Sequence, residues 1–339
     1  MRPALKSGLL PVWRDRDTLQ IGIDPRRAIA LSGMGRAAIV IGLLDGSRDR
    51  EQVIAAAAGC GVPAEATERV LALLAAGGAL DDFALSAVRE LPRALRAKLA
   101  PEIATSSLAH GDGDGGARAL ARRRSCMVRI DGDRRIADDL ARILTSSGVR
   151  NVLSSQDGGR EPAPPGPGRD EPGRDEPDRE APRGGLDLGL GLDLVILAGR
   201  QPLDVADRLT RDGVPHLAVT AGEAIGTVGP VVLPGRSACL RCLDYTRAGN
   251  DPSWPLILAQ LASRRSEPPA CDAALAAAVA AFAAVQALTC IDRSPEASAA
   301  VNGTLELVLP DWRWRRRTWR QHPACICAGR AGDNRQLGS

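Results

Sequence analysis

Two close pairs of cysteines are the residues whose types and spacing most clearly indicate chemistry. Cys239 and Cys242 are separated by two residues and follow a Pro-Gly turn, and Cys325 and Cys327 form a second pair near the C-terminus. Four thiolates in a tetrahedral array suit a structural zinc ion and leave no open position for water. We therefore predict a zinc site that stabilises the fold. The alternatives are four unrelated buried thiols, or His322 in place of one ligand.

A single further cysteine is a candidate for reactivity. Cys271 follows Pro268-Pro269, near the predicted start of an alanine-rich helix. A helix N-terminus lowers the pKa of a thiol, so Cys271 is the one candidate catalytic residue. The remaining cysteines are typical of core positions: Cys60, Cys126 and Cys290.

A strand, a turn and a helix are predicted over residues 128–140, VRIDGDRRIADDL. A dinucleotide or ATP fold places its glycine-rich loop in such a turn. Only Gly132 is present, and Arg134 and Arg135 stand near the later glycine positions. Arginine attracts phosphate, but its side chain blocks close approach of the backbone. Gly132, Arg134 and Arg135 are thus a degenerate nucleotide loop, and ATP with Mg²⁺ is not the expected cofactor.

The segment WRWRRRTWR, residues 312–320, alternates arginine with tryptophan. Such interleaving is typical of a nucleic-acid surface, in which the aromatic rings stack on bases. It is equally typical of an edge strand with one packed face and one solvated face. The position just before Cys325 favours the strand. His216, within PHLAVT, is interpreted as a structural histidine.

The composition limits the class of protein. The chain has 339 residues, of which 44% are hydrophobic and 25% are charged, as in a soluble protein of two domains. The net charge of +3 gives no general attraction to nucleic acid. The apolar stretch Ala273–Leu288 predicts a buried helix, so no membrane partner is expected. Clustered thiols without a signal sequence indicate a reducing, cytoplasmic location.

The chain contains one clear break, at residues 157–185, where proline, glycine and charge predict a disordered insert. Strands and helices alternate around it and predict a doubly wound, mostly parallel α/β sheet. The predicted strands are 126–131, 149–154, 192–198, 215–220 and 304–309, with a hairpin-like segment at 226–233. The predicted helices are 136–147, 203–211 and 273–290.

The first 83 residues predict a separate small α+β domain of the winged-helix type. Three short strands, at 11–13, 18–23 and 28–31, precede three helices, at 37–44, 49–58 and 63–76. Residues 1–83 contain ten basic and ten acidic residues. DNA-binding modules carry a clear basic excess, so protein or peptide binding is favoured over DNA binding. A purely structural appendage is the other alternative.

The second domain, residues 125–330, resembles the ThiF/MoeB superfamily, the fold of ubiquitin-activating-type adenylyltransferases. The resemblance rests on the strand–turn–helix at 126–147, the strand DLVILAG, and GTVGPVVLPGRSACLRCLD. The first domain resembles the PqqD-like fold, or RiPP recognition element, in which a leader peptide adds as a strand. The pair resembles actinobacterial leader-peptide-binding proteins that assist the cyclodehydratases of azole-forming (TOMM) pathways. This implies a zinc-containing homodimer that delivers a peptide to a modifying enzyme.

The departures from that superfamily predict a pseudoenzyme. Active members use a lysine on the phosphates and an aspartate on magnesium. This chain has no lysine after Lys98, and Arg200 stands near the magnesium position. We therefore predict a leader-peptide-binding scaffold with a linker at 84–124 and a tail at 331–339. The alternative is an ATP-dependent adenylyltransferase with Cys271 as acceptor; a DNA-binding regulator is a third interpretation.

Overall fold

The computed structural model describes residues 1–83, 87–154, 192–200, 203–263, 270–293 and 295–329. The chain divides into two compact units. One comprises Met1–Ser125 with Ser146–Gly148, and the other comprises Cys126–Thr145 with Val149–Ser339. The predicted insert at 157–185 and the predicted tail at 331–339 lie outside the described residues.

The N-terminal unit contains, over its described residues, two small antiparallel sheets and six α-helices. Its elements are β1 (Pro3–Leu5), β2 (Pro11–Trp13), β3 (Leu19–Ile21), β4 (Ile29–Leu31), α1 (Ile39–Leu43), α2 (Arg50–Gly59), α3 (Ala64–Ala76), β5 (Leu80–Asp82), α4 (Arg93–Lys98), α5 (Ala100–His110) and α6 (Ala117–Ser125). Strand β3 is central between β2 and β4, and β1 pairs with β5. The three predicted strands and the helices α2 and α3 are confirmed.

The segment predicted as a linker differs from that prediction, because three helices lie within it. Pro92 and Pro101 stand at helix starts, where proline is well tolerated, and Gly111 ends α5 in a left-handed conformation. Leu99 and Leu120 are buried in one apolar cluster with Val88. The segment is rich in glycine and arginine, and for this reason the sequence did not predict these helices.

The C-terminal unit is built on one sheet of seven strands. Its elements are β6 (Met127–Gly132), α7 (Arg134–Ser146), β7 (Asn151–Ser154), β8 (Leu194–Ala198), α8 (Leu203–Arg211), β9 (His216–Gly222), β10 (Ile225–Val232), α9 (Leu240–Asn250), α10 (Trp254–Ser263), α11 (Ala273–Asp292), β11 (Gly303–Val308), β12 (Arg313–Thr318) and α12 (Ile326–Gly329). The strand order is β12-β11-β10-β9-β8-β6-β7. The unit is therefore a mixed α/β structure: β7, β6, β8 and β9 are parallel, and β10, β11 and β12 are antiparallel.

Helix α11 is the alanine-rich segment and lies against this sheet. It is long and apolar enough to cross a membrane by length and composition alone, but buried core helices share both properties. Val279 is fully buried, and a Cβ added to Gly226 of β10 would lie 2.3 Å from its Cγ2 atom. This close contact explains both the glycine in the strand and the small residues of the helix. The predicted helix is confirmed, and one face of it is buried in the core of the unit.

Candidate functional site

The four predicted metal ligands lie together in the C-terminal unit. The Sγ atoms of Cys239, Cys242, Cys325 and Cys327 all lie within 4.8 Å of one another, and all four residues are buried. The Cys239–Cys325 and Cys242–Cys327 sulfur pairs are 3.5 and 3.3 Å apart. Tetrahedral zinc with Zn–S bonds of about 2.3 Å requires sulfur separations of about 3.8 Å. The cluster can therefore bind a metal such as zinc.

Local structure explains how the first pair is positioned. Cys239 is the N-cap of α9 with extended backbone, and Cys242 lies in the first turn of that helix. The side chain of Ser237 accepts a hydrogen bond from the backbone N–H of Leu233 and fixes the turn that precedes the pair. Asn302 accepts a hydrogen bond from the backbone N–H of Ala238. The turn thus presents both thiols to one point.

The immediate surroundings favour a negatively charged sulfur at Cys242. Hydrogen bonds from the Cys239 thiol and from the backbone N–H of His322 lower the pKa of Cys242 to about 4. The same thiol contact raises the pKa of Cys239, and burial raises the pKa of Cys327. A metal ion replaces the thiol protons of such a cluster when it binds.

His322 is not a member of the cluster in the described structure. Its Nδ1 accepts a hydrogen bond from the backbone N–H of Ala324, and its ring stacks on Tyr245 with centroids 5.1 Å apart. The cysteine set is thus complete without it. The interpretation in which His322 replaces a thiolate is not supported by this geometry.

Sequence analysis missed an arginine–tryptophan stack beside the cysteines. Trp319 is buried in the same apolar cluster as the four thiols. The guanidinium of Arg247 lies 5.3 Å from the centroid of its ring and 5.0 Å from that of Trp254. Burial lowers the pKa of Arg247 and raises that of Asp244, whose carboxylate accepts a hydrogen bond from Trp254.

The loop predicted as a degenerate nucleotide loop contains a residue that the sequence prediction did not include. Asp133 follows Gly132, whose φ is 119°, and its carboxylate accepts a hydrogen bond from the backbone N–H of Arg135 at 3.0 Å. Its backbone oxygen accepts bonds from Ile136 and Ala137, at the start of α7. A helix N-terminus of this kind is where nucleotide folds bind phosphate. Here the carboxylate of the chain itself lies at that position.

The two arginines of this loop are both exposed and have other contacts. Arg134 forms an ion pair with Asp138 at 3.8 Å on the surface of α7. Arg135 donates a hydrogen bond to the backbone oxygen of Cys271 at 3.1 Å. Arg200 is exposed and follows β8, immediately after Gly199.

The expectation that a helix start lowers the pKa of Cys271 is wrong. Burial raises the pKa of this thiol, and the carboxylates of Asp133 and Asp272 add to the effect. Asp272 caps α11 by accepting the N–H of Leu275 at 2.7 Å. The capping carboxylate next to the sulfur thus counteracts the helix dipole.

The N-terminal unit contains a strand edge beside a helix. Strand β4 ends the order β2-β3-β4, and α3 lies close to it, since a Cβ added to Gly77 would lie 2.3 Å from Cδ1 of Ile29. Leu73 precedes Gly77 by one helical turn and is 47% exposed. An i, i+4 pair shares one helix face, so Leu73 stands on the face that borders β4.

Comparison with known proteins identifies the class of fold. The chain is similar to the heterocyclase TruD, with a TM-score of 0.63 and 15% identity, over 96% of this chain and 42% of that one. A heterocyclase solved with substrate and cofactor gives a TM-score of 0.64 and 16% identity, over 97% of this chain and 39% of its own. The chain therefore spans less than half the length of each heterocyclase.

A second kind of neighbour has the same length as this chain. E. coli MccB, solved with AMPCPP and MccA, gives a TM-score of 0.63 and 12% identity, over 97% of this chain and 100% of its own. At these identities the likeness shows a common fold. No protein-family model matches the chain. No curated protein matches it either.

Proposed function

We propose that this chain is a ThiF-type scaffold protein that binds a leader peptide and presents it to a cyclodehydratase-type modifying enzyme. Two heterocyclase chains and MccB share its fold. More than half of each heterocyclase chain lies outside the part that this chain matches. The N-terminal unit is the proposed PqqD-like, winged-helix recognition domain.

The observation that carries this proposal is the edge of β4 beside α3. A peptide that adds as a strand gains backbone hydrogen bonds from the edge and specificity from side-chain pockets. Leu73 offers an apolar contact on the helix side of such a groove. The opposite edge, β2, begins with Pro11, which has no N–H to donate. We therefore propose β4 as the strand that receives the peptide.

The four-cysteine cluster is proposed to hold a structural zinc ion. The ion would hold α9 and the segment around α12 together, which stabilises the C-terminal unit. Four protein ligands leave no coordination site for a substrate, so the cluster has no part in catalysis.

The loop before α7 supports a pseudoenzyme. The carboxylate of Asp133 at the helix N-terminus repels phosphate and uses the backbone N–H of Arg135. Side chains at Arg134 and Arg135 replace the glycines that would let phosphate approach. The second candidate function is an ATP-dependent adenylyltransferase. It is favoured by the fold that this chain shares with MccB, which has been solved with ATP. Such an enzyme would have to bind its nucleotide at this same loop.

We also propose a homodimer located in the cytoplasm. Helix α10 supports the dimer, because Leu256 is 64% exposed and Ile257 lies beside it on the surface. Exposed apolar residues grouped on one helix are typical of an interface.

The experiment is a selection of short random peptides displayed on phage against the full chain, followed by fluorescence anisotropy with the best peptide. Leu73→Glu should weaken binding about tenfold or more, because a charge replaces an apolar contact. The matched control is Leu10→Glu, an equally exposed leucine next to β2. Recovery of no peptide, or loss of binding only in the control variant, contradicts the proposal.

A further inference from the structure

The arginines of β12 form a charged surface that the proposed function does not use. Side chains alternate along a strand, so Trp314, Arg316 and Thr318 share one face. Trp314 stacks on Phe282 of α11 with centroids 4.1 Å apart. This is therefore the packed face of β12. Arg316 is held there by the backbone oxygens of Ala299 and Val301.

The opposite face of β12 presents Arg313, Arg315 and Arg317, which we call the arginine face. All three residues are exposed. They pair across the sheet with Val308, Glu306 and Thr304 of β11. Farther along the same face, Ile225 of β10 and Thr220 of β9 are exposed as well. This face of the sheet is thus exposed at the arginines and at these two residues, whereas Thr304, opposite Arg317, is buried and accepts a hydrogen bond from Trp319.

The three arginines lie near two carboxylates, those of Asp311 and Glu306, so this face keeps a net positive charge. Arg315 forms an ion pair with Asp311 at 3.5 Å, but both side chains are more than half exposed. Arg317 lies over the ring of Trp319, 4.3 Å from its centroid. Within the described part of the chain, the guanidinium of Arg313 has no hydrogen-bond or ion-pair partner. The exposed ion pair between Arg315 and Asp311 contributes little to stability, so Arg315 can exchange Asp311 for another acidic partner.

We propose that the arginine face binds an acidic segment of another polypeptide, added as an extended strand along β12. Strand β12 is the last in the described strand order, so its outer edge is available for pairing. Same-face side chains of any strand repeat about every 6.6 Å. Carboxylates at alternate positions of an added strand therefore match the spacing of the three arginines and can accept bidentate hydrogen bonds.

The tryptophans favour polypeptide over nucleic acid as the partner. Trp314 is stacked on Phe282, and Trp319 is only 3% exposed and donates a hydrogen bond to Thr304. Neither of these two rings is available to stack on bases, which is the main contact of single-stranded nucleic acid. The third ring of the segment, Trp312 in the turn before β12, is 47% exposed, so a single ring remains for base stacking. The inference goes beyond the proposed function and does not rest on it.

The test uses a fluorescein-labelled peptide of alternating glutamate and threonine and the full chain, with binding measured by anisotropy. Arg313→Ser/Arg315→Ser/Arg317→Ser should weaken binding about tenfold or more, because three cross-strand ion pairs are lost. The matched control is Arg142→Ser/Arg150→Ser/Arg211→Ser, which removes equal charge from exposed positions elsewhere in the unit. The control should bind like the wild type. Circular dichroism and zinc content establish that both variants are folded.

Two further measurements distinguish strand addition at the arginine face from attraction by charge alone and from binding at β4. A peptide of the same composition with its glutamates in one block should bind more weakly, and Leu73→Glu should leave binding unchanged. Equal loss in both triple variants assigns the binding to general charge and overturns the proposal. Tighter binding of an oligothymidine than of the peptide overturns it in favour of nucleic acid. If the triple variant of the arginine face self-associates but binds the peptide as well as the wild type does, the proposal is overturned. The arginines would then only prevent β12 from pairing with other copies of the chain.

Discussion

Asp133 accepts a hydrogen bond from the backbone N–H of Arg135 at 3.0 Å and so caps the N-terminus of α7 with a carboxylate. The backbone N–H of Asp133 is itself bonded to the oxygen of Ala198 at the end of β8. This arrangement places a negative charge where a nucleotide fold places phosphate. The proposed loss of nucleotide binding depends on this carboxylate.

The cap predicts a measurable loss of stability. Asp133→Ala removes the side-chain acceptor and should lower the free energy of unfolding by about 1 kcal/mol. Urea unfolding followed by circular dichroism measures the change. Asp138→Ala, which removes only a surface ion pair with Arg134 on the same helix, should cost less than about 0.5 kcal/mol. Equal stability of the two variants would mean that the cap contributes nothing.

Zinc removal should unfold the C-terminal unit. Structural zinc binding contributes on the order of 10 kcal/mol to folding, so chelation or Cys242→Ser should abolish its cooperative thermal transition. Metal analysis should find one zinc per chain in the wild type and in Cys60→Ser, whose exposed thiol lies in the other unit. Retention of full zinc content by Cys242→Ser would contradict the four-thiolate site.

A buried ion pair stabilises the N-terminal unit. The ammonium of Lys6 lies 2.9 Å from Oδ1 of Asp81, and both side chains are nearly inaccessible. Ser107 completes the network, since its hydroxyl donates to Asp81 and its backbone oxygen accepts from Lys6. Lys6→Met should lower the free energy of unfolding by about 3–5 kcal/mol, because it leaves a buried carboxylate unpaired.

The chain provides its own control for this measurement. Lys98 is the only other lysine and is exposed; Lys98→Met should change the stability by less than about 0.5 kcal/mol. The double variant Lys6→Met/Asp81→Leu should recover part of the loss, because no buried charge remains. A loss in the double variant that exceeds the loss in Lys6→Met would contradict the role of the ion pair.

The buried histidine of β9 predicts a pH dependence. Burial lowers the pKa of His216 from 6.5 to about 4, and its Nδ1 lies 3.0 Å from the oxygen of Val214. The unfolded chain therefore binds a proton between these values that the folded chain does not. Stability is full above about pH 6.5 and falls by about 3 kcal/mol as the pH drops to about 4. Urea unfolding at several pH values should show this slope in the wild type and a smaller one in His216→Phe.

Much of the fold follows from patterns that are local in the sequence. The strands Pro11–Trp13 and Ile29–Leu31 are bounded by turn residues, and helix Leu203–Arg211 has a clear apolar repeat. The cysteine cluster was also predictable, because the Cys-x-x-Cys and Cys-x-Cys spacings are typical of metal-binding cysteine pairs. Strands β10 and β11 are paired although they are far apart in the sequence, so the position of β11 and β12 in the sheet could not be derived.

Other features depend on contacts that the sequence does not display. The helices between Arg93 and Ser125 were not predicted, because this segment is rich in glycine and arginine. They belong to the N-terminal unit because they pack around Leu99 and Leu120. Cys271 follows a helix-start pattern, but Asp133 approaches it through the fold and raises its pKa. The capping role of Asp133 was available from sequence as an Asp before a helix and was overlooked.

Calorimetric titration of magnesium-ATP into the zinc-loaded protein is the most direct test of peptide binding without nucleotide chemistry. We expect no binding heat up to millimolar ATP, because Asp133 caps the helix that phosphate would need. Binding in the micromolar range would contradict it, and would favour the adenylyltransferase that the fold shared with MccB suggests.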